Sequence, residues 1–193
     1  MKSICVFAGS NDGVAPEYRE QAARLGEHIA RRGLRLIYGG SSFGLMGTAA
    51  NAALASGGEV TGIMPTALFR REIVHEGLTE FIGVKDMHER KATMHRMADG
   101  FIALPGGIGT FEELFEVLCW AQIGLHSKPV GLLNVNGYYN PLMELIRHSV
   151  QEGFAGRTHL NLIMLEEDAE ELVKKMSSHD ALSLQRTGDA ENV

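Results

Sequence analysis

The chain reads as an α/β fold, one mostly parallel sheet with helices on both faces. Three observations predict it. Short apolar runs alternate with helical patterns along the whole chain, as in a series of βα units. The runs carry few polar residues, which suits strands buried on both faces. Two of them lead straight into glycine-rich loops that open helices, GGSSFGLMG at 39–47 and PGGIGT at 105–110.

The elements follow in order. Residues 3–8 form a first strand, bounded by Gly9 and Ser10. Pro16 suits a first helical turn, and Tyr18, Ala22, Leu25 and Ile29 recur at helical spacing until Gly33 ends the helix. Residues 34–38 are a second strand, and an alanine-rich helix follows its glycine loop to about Ser56. Residues 59–64 and 80–84 are strands, with an irregular stretch at 65–78 between them. A helix at 87–97 precedes a buried strand at 101–104. The helix at 111–124 is the most amphipathic, with a stripe of Phe111, Leu114, Phe115, Leu118, Ala121 and Leu125. A strand at 130–134, a helix from Asn140 to about Glu152, a strand at 162–165 and a helix at 169–176 complete one domain over 1–176. The polar stretch 177–193 reads as a loose tail.

Composition narrows the function. With 18 basic and 24 acidic residues the net charge is −6, a poor basis for binding nucleic acid. Cys5 and Cys119, the only cysteines, each sit in an apolar run and read as buried thiols with no disulfide or zinc spacing. His88 and His95 stand seven apart with Lys91 between them, so no metal is expected. The first apolar run is too short for a signal peptide or a membrane span, and the cytoplasm is the expected location.

In an open α/β sheet, ligands bind beyond the carboxyl ends of the strands, which directs attention to the loops after the first, second and fifth strands. Gly106, Gly107 and Gly109 let a ligand approach the backbone closely. The free N–H groups of the following helix favour an anion such as phosphate, with Thr110 as helix cap and hydroxyl donor. Gly39, Gly40, Gly44 and Gly47 make a second such loop. No GxxxxGK[ST] and no GxGxxG is present, which argues against a nucleoside triphosphatase and a dinucleotide oxidoreductase. Glu112 and Glu113 fall in the expected first turn of the 111–124 helix. Glu112 shares a side with Glu116 and Cys119, and Glu113 points about 100° away. One of the two can reach a sugar while the other braces the loop.

The three motifs GGxxxGLMG at 39–47, MHERK at 87–91 and PGGIGTFEE at 105–113 resemble those of the Lonely guy phosphoribohydrolases, a family once mistaken for lysine decarboxylases. The signature PGGxGTxxE is complete in Pro105, Gly106, Gly107, Gly109, Thr110 and Glu113, and the run at 115–142 is similar too. The resemblance covers residues 3 to about 164. It implies a Rossmann-like homodimer with active sites near the subunit interface. It also implies cofactor-free hydrolysis of N6-substituted adenosine 5′-monophosphates, or AMP, to free base and ribose 5-phosphate. By the same resemblance Arg90 and Glu113 are the catalytic pair, and Glu72, Lys91 and the segment 106–112 contact substrate. The second loop departs from the family, with Ser41 after Gly39 and Gly40 where a third glycine is usual. Cys119 stands where the plant members usually carry threonine. Two rival readings are a nucleotide or molybdenum-cofactor carrier on a similar fold and a pyridoxal-phosphate decarboxylase. The first needs no Arg90–Glu113 pair, and the second needs a lysine beside the phosphate site.

Overall fold

The computed structural model describes residues 1–68 and 74–179. Its order is β1 (Ser3–Phe7), α1 (Pro16–Arg31), β2 (Arg35–Tyr38), α2 (Gly44–Ala55), β3 (Val60–Pro65), β4 (Glu80–Val84), α3 (Met87–Met97), β5 (Phe101–Ala103), α4 (Ile108–Gln122), β6 (Val130–Leu133), α5 (Asn140–Gln151), β7 (Ile163–Glu166) and α6 (Ala169–Ser177). Each strand and helix lies where the sequence places it, to within three residues at either end. Short 3-10 turns at Thr66–Leu68, Val135–Gly137 and Arg157–Leu162 fill connections. Of the expected tail, Ser177 closes α6, and 180–193 lie outside the described residues.

All seven strands pair in parallel, in the order β4-β3-β2-β1-β5-β6-β7. The chain winds outward from β1 to β4, returns to the other side of β1, and winds outward again from β5. The switch point therefore lies between β1 and β5. Strand side chains alternate between faces, and this divides the core in two. Ile4, Val6, Leu36, Tyr38, Ile102 and Leu104 pack with α1, α2 and α6. Cys5, Phe7, Ile37, Ile63, Phe101 and Ala103 pack with α3, α4 and α5. The α1–α2 crossing is tight enough to need Gly26, where an added Cβ would meet the Ala49 carbonyl oxygen at 2.1 Å.

The start of α4 departs from expectation. The helix begins at Ile108, with Gly107 as its N-cap in extended backbone. Thr110 is thus a buried residue inside the first turn and not the cap, and Glu112 and Glu113 fall in the second turn. Glycine at 109 did not stop the helix, because an orphan first turn has few hydrogen bonds to lose. The buried face of α4 is Thr110, Glu113, Leu114, Val117 and Leu118, while Phe115 and Leu125 of the expected stripe are exposed. Cys5 is buried as expected, but Cys119 is exposed on α4. No helix among the described residues is long and apolar enough to cross a membrane.

Candidate active site

At the switch point the carboxyl ends of β1, β2, β3 and β5 open onto a cavity of about 300 Å³. Its wall combines Gly9 and Ser10 after β1, Gly39 after β2, Arg90 of α3, and Gly107, Ile108, Gly109, Thr110 and Glu113 at the start of α4. Met46, Met64, Leu68 and Met87 supply an apolar side. The lining thus combines a few polar groups with adaptable methionines.

The two glycine loops do different work. An added Cβ at Gly107 or Gly109 would meet nothing within 4 Å, so both present bare backbone to the cavity. Beside them α4 has no side-chain cap and no acid in its first turn. Its first-turn N–H groups and dipole therefore meet the cavity without a capping side chain, an arrangement that favours an anion. Gly106 instead packs inward, since a Cβ there would overlap Thr110 Oγ1. The loop is pinned from the turn after β6, where Tyr138 donates to the Gly106 carbonyl (2.5 Å) and Tyr139 to that of Leu104 (2.6 Å). Of the glycines in the second loop only Gly39 reaches the cavity wall. Gly40 takes φ +80° and accepts from His75 N–H. Ser41 is buried and accepts from Phe43 N–H through its Oγ (3.3 Å). One lone pair of the Ser41 hydroxyl is thus used within the loop.

The catalytic candidates meet as the sequence motifs imply. Asp86 caps α3 by accepting from Glu89 N–H (2.9 Å), which fixes the helix one turn before Arg90. Arg90 Nε donates to the Ile63 carbonyl at the end of β3 (3.1 Å), and its Nη1 donates to Glu113 Oε1 (2.9 Å). Its Nη2 lies over Gly39, where any Cβ would collide with it. The guanidinium is held from three sides. The side chains of the pair are only 13% and 11% exposed, so this is an enclosed ion pair with one edge on the cavity. Burial raises the Glu113 carboxyl above the ordinary glutamate value, with Arg90 opposing that shift.

Other expected residues stand back from the cavity. Lys91 is turned away, paired to Glu112 and to Glu116 (3.0 Å), and ties α3 to α4. This separates the two acids that the sequence left undecided. Glu113 faces the cavity, and Glu112 is part of the brace. Cys119 lies one turn beyond Glu116 on α4 and does not line the cavity. Glu72 lies outside the described residues. Sequence reasoning passed over Gly9, Ser10 and the four apolar wall residues. The strand-end rule already pointed to the β1 loop, but nothing local marks Met46, Met64 and Met87 as neighbours. Among the described residues no group of three His, Cys, Asp or Glu side chains could hold a metal ion.

Fold and site together define a Rossmann-like α/β protein with a phosphate-type helix terminus beside an enclosed Arg–Glu pair. The model of the family described as "Possible lysine decarboxylase" matches residues 46–176. A cytokinin riboside 5′-monophosphate phosphoribohydrolase of Arabidopsis thaliana is 49% identical over 93% of this chain and 82% of its own. A second from the same plant is 45% identical over 100% of this chain and 92% of its own. The chain belongs to this family, the Lonely guy phosphoribohydrolases. In structure it also resembles a molybdenum cofactor binding protein from Rippkaea orientalis, with TM-score 0.69, 23% identity and coverage of 92% of this chain and 97% of that one. A molybdenum cofactor carrier protein from Chlamydomonas reinhardtii gives TM-score 0.68 at 23% identity, covering 92% and 99%. At that identity the likeness is one of fold.

Proposed function

We propose that the protein hydrolyses the N-glycosidic bond of adenosine 5′-monophosphates, N6-substituted ones included, releasing free base and ribose 5-phosphate. The observation that carries this is the enclosed Arg90–Glu113 pair beside the uncapped α4 terminus. The relatives' activity on cytokinin riboside monophosphates supports the same reading. The 5′-phosphate sits on the N–H groups around Gly107 and Gly109. That anchoring positions the reacting bond. Glu113 faces the ribose, where its charge stabilises the oxocarbenium character that develops as the base departs. Arg90 keeps the carboxylate ionised and in place through its Nη1 bond to Glu113, while its Nε is tied to the Ile63 carbonyl. The apolar wall of Met46, Met64, Leu68 and Met87 takes the base and its substituent.

The decarboxylase reading fails on geometry. Pyridoxal chemistry needs a lysine beside the phosphate site. Among the described residues no lysine lines the cavity, and Lys91 is committed to two glutamates. A carrier would have no use for an enclosed ion pair at the ligand's sugar. The working unit in this reading is a homodimer. Phe115 and Cys119 on α4, with Ile123 and Leu125 just past its end, are exposed (40%, 68% and 65% for Phe115, Ile123 and Leu125) and supply apolar surface that suits a self-complementary interface. Light scattering across a dilution series checks this, and a monomer with full activity refutes it. Two free cysteines suit a cytoplasmic location, where thiols stay reduced.

The test is chromatography of products from nucleoside 5′-monophosphates and the matching nucleosides, with Glu113→Gln as control. Base should appear from the monophosphates, far less from nucleosides, and at least about 10²-fold more slowly in the variant. Equal kcat/KM for nucleoside and nucleotide refutes the phosphate anchor, and near-normal turnover in Glu113→Gln removes Glu113 from the chemistry.

A further inference from the structure

Behind Glu113, on the side away from the main cavity, α3 and α4 enclose a second, very small space. Phe7 of β1 and Phe101 of β5 form its floor, Lys91, Met94 and His95 of α3 one side, and Glu113, Glu116 and Val117 of α4 the other. Lys91 and His95 are four apart on one helix and share a face, as do Glu113, Glu116 and Val117 on the other. The ring of His95 is fixed by aromatic neighbours. It stacks on Phe101 with centroids 5.2 Å apart and meets Trp120 and His126 edge-on at 4.7 and 4.9 Å.

His95 Nε2 is enclosed and has no hydrogen-bond partner among the described residues. Such an atom rarely goes unsatisfied, because it would forfeit its bond to water for nothing. The space is about 10 Å³, which is room for a single water and nothing larger. Its lining residues include four with polar side chains, His95, Glu113, Lys91 and Glu116, and Lys91 and Glu116 are already paired with each other, which leaves His95 and Glu113 as the two partners a buried water requires.

We propose that one ordered water occupies this space and joins His95 Nε2 to the Glu113 carboxylate, making His95 a positioning residue for the hydrolytic site. His95 donates from Nε2–H to the water, and the water donates to Glu113. The imidazole stays neutral in this role. Burial first, then Lys128 and His126, hold its pKa down at about 4. The link reaches the carboxylate from the face opposite Arg90. It favours the ionised form and so works with Arg90 against the burial that raises Glu113. The other groups facing Glu113 are Lys91 and Glu112, with the Cys5 thiol beneath. Those facing His95 are Lys128 and His126. Of the neutral groups among them, neither the Cys5 thiol nor His126 lines this space.

The inference rests on Glu113 carrying the chemistry, and the experiment separates the two. His95→Phe keeps the stacking and removes the nitrogen, whereas His95→Gln keeps a donor. With adenosine 5′-monophosphate as substrate, His95→Phe should lower kcat about tenfold or more, the worth of one hydrogen bond to a charged group. KM should not change, and the acid limb of the kcat profile should move to higher pH. His95→Gln should restore most of kcat and return the limb. A purely structural role would lower stability without moving the limb. His95→Phe with wild-type kcat and an unmoved limb overturns the proposal. So does a high-resolution crystal structure of the unsubstituted protein with this space dry, which decides the matter even where a variant fails to fold. A fully active Glu113→Gln protein would instead defeat the functional reading, and the water would still be seen.

Discussion

Replacing Gly39 by alanine should disable the enzyme without unfolding it. The new Cβ would stand 2.2 Å from Arg90 Nη2, whereas ordinary contact begins near 3.4 Å. Something must therefore give by about 1.2 Å, the difference between those two distances. The Gly39 backbone is fixed at the end of β2, so the guanidinium is what moves. Its hydrogen bonds to Glu113 (2.9 Å) and to the Ile63 carbonyl (3.1 Å) do not survive such a shift. A misplacement of about 1 Å in a catalytic array costs on the order of 10² in rate. Stability should suffer far less, because the clash is with the free end of a long side chain. The assay is kcat and KM for adenosine 5′-monophosphate alongside the thermal midpoint. The expected result is a kcat lower by about two orders of magnitude with KM and midpoint nearly unchanged. A variant that keeps its kcat refutes the claim that Gly39 exists to seat Arg90. One that unfolds refutes the claim that the clash is confined to the site.

Two more outcomes follow from the same geometry. Gly109→Ala has space for its methyl group but adds it to the cavity wall that holds the phosphate in the proposed reading. It should fold normally and raise KM for nucleoside monophosphates, and an unchanged KM in steady-state kinetics would place the phosphate elsewhere. Because burial raises the Glu113 pKa, activity should fall on the acid side with a midpoint above the ordinary glutamate value. A pH–rate profile with its midpoint at or below that value contradicts the assignment. The sign for stability is opposite. A carboxyl whose folded pKa is raised contributes stability that is fully present below its unfolded pKa and lost as pH rises through the folded one. The form that works is the form the fold holds less comfortably.

How much of this was legible in the sequence depends on the range of the interactions. Strands and helices were legible because period and glycine punctuation are local signals. The glycine loop that opens α4 onto the cavity was legible for the same reason, since PGGIGT is contiguous. The start of α4 was misjudged because Gly109 reads as loop, while tertiary packing of Thr110 on Gly106 carries the helix back to Ile108. The stripe on α4 was misread by one position. Phe115 is more apolar than Glu113, yet Glu113 is the buried one because Arg90 awaits it across the interface. Nor could spacing tell that Lys91 turns from the cavity to bind Glu112 and Glu116, or that Met46, Met64 and Met87 share a wall. Those facts are contacts between elements, and no local pattern encodes them.

The adjacency of Arg90 and Lys91 then takes on a meaning that neither motif has alone. Consecutive residues on a helix point about 100° apart. One cation can therefore face the cavity while its neighbour faces outward along the α3–α4 seam. Glu112, Glu113 and Glu116 repeat the arrangement on α4. The result is three ion pairs between the same two helices, one from Arg90 and two from Lys91. Arg90–Glu113 is 13% and 11% exposed and open to substrate, while Lys91 bridges Glu112 and Glu116 nearer the surface. An enclosed pair offsets its desolvation only when its geometry is held closely. The outer bridge supplies that restraint, since it fixes the spacing of the helices that carry the inner one. Catalytic geometry in this site thus depends on a contact that substrate never touches, which is why MHERK and FEE are informative as a pair and ambiguous apart.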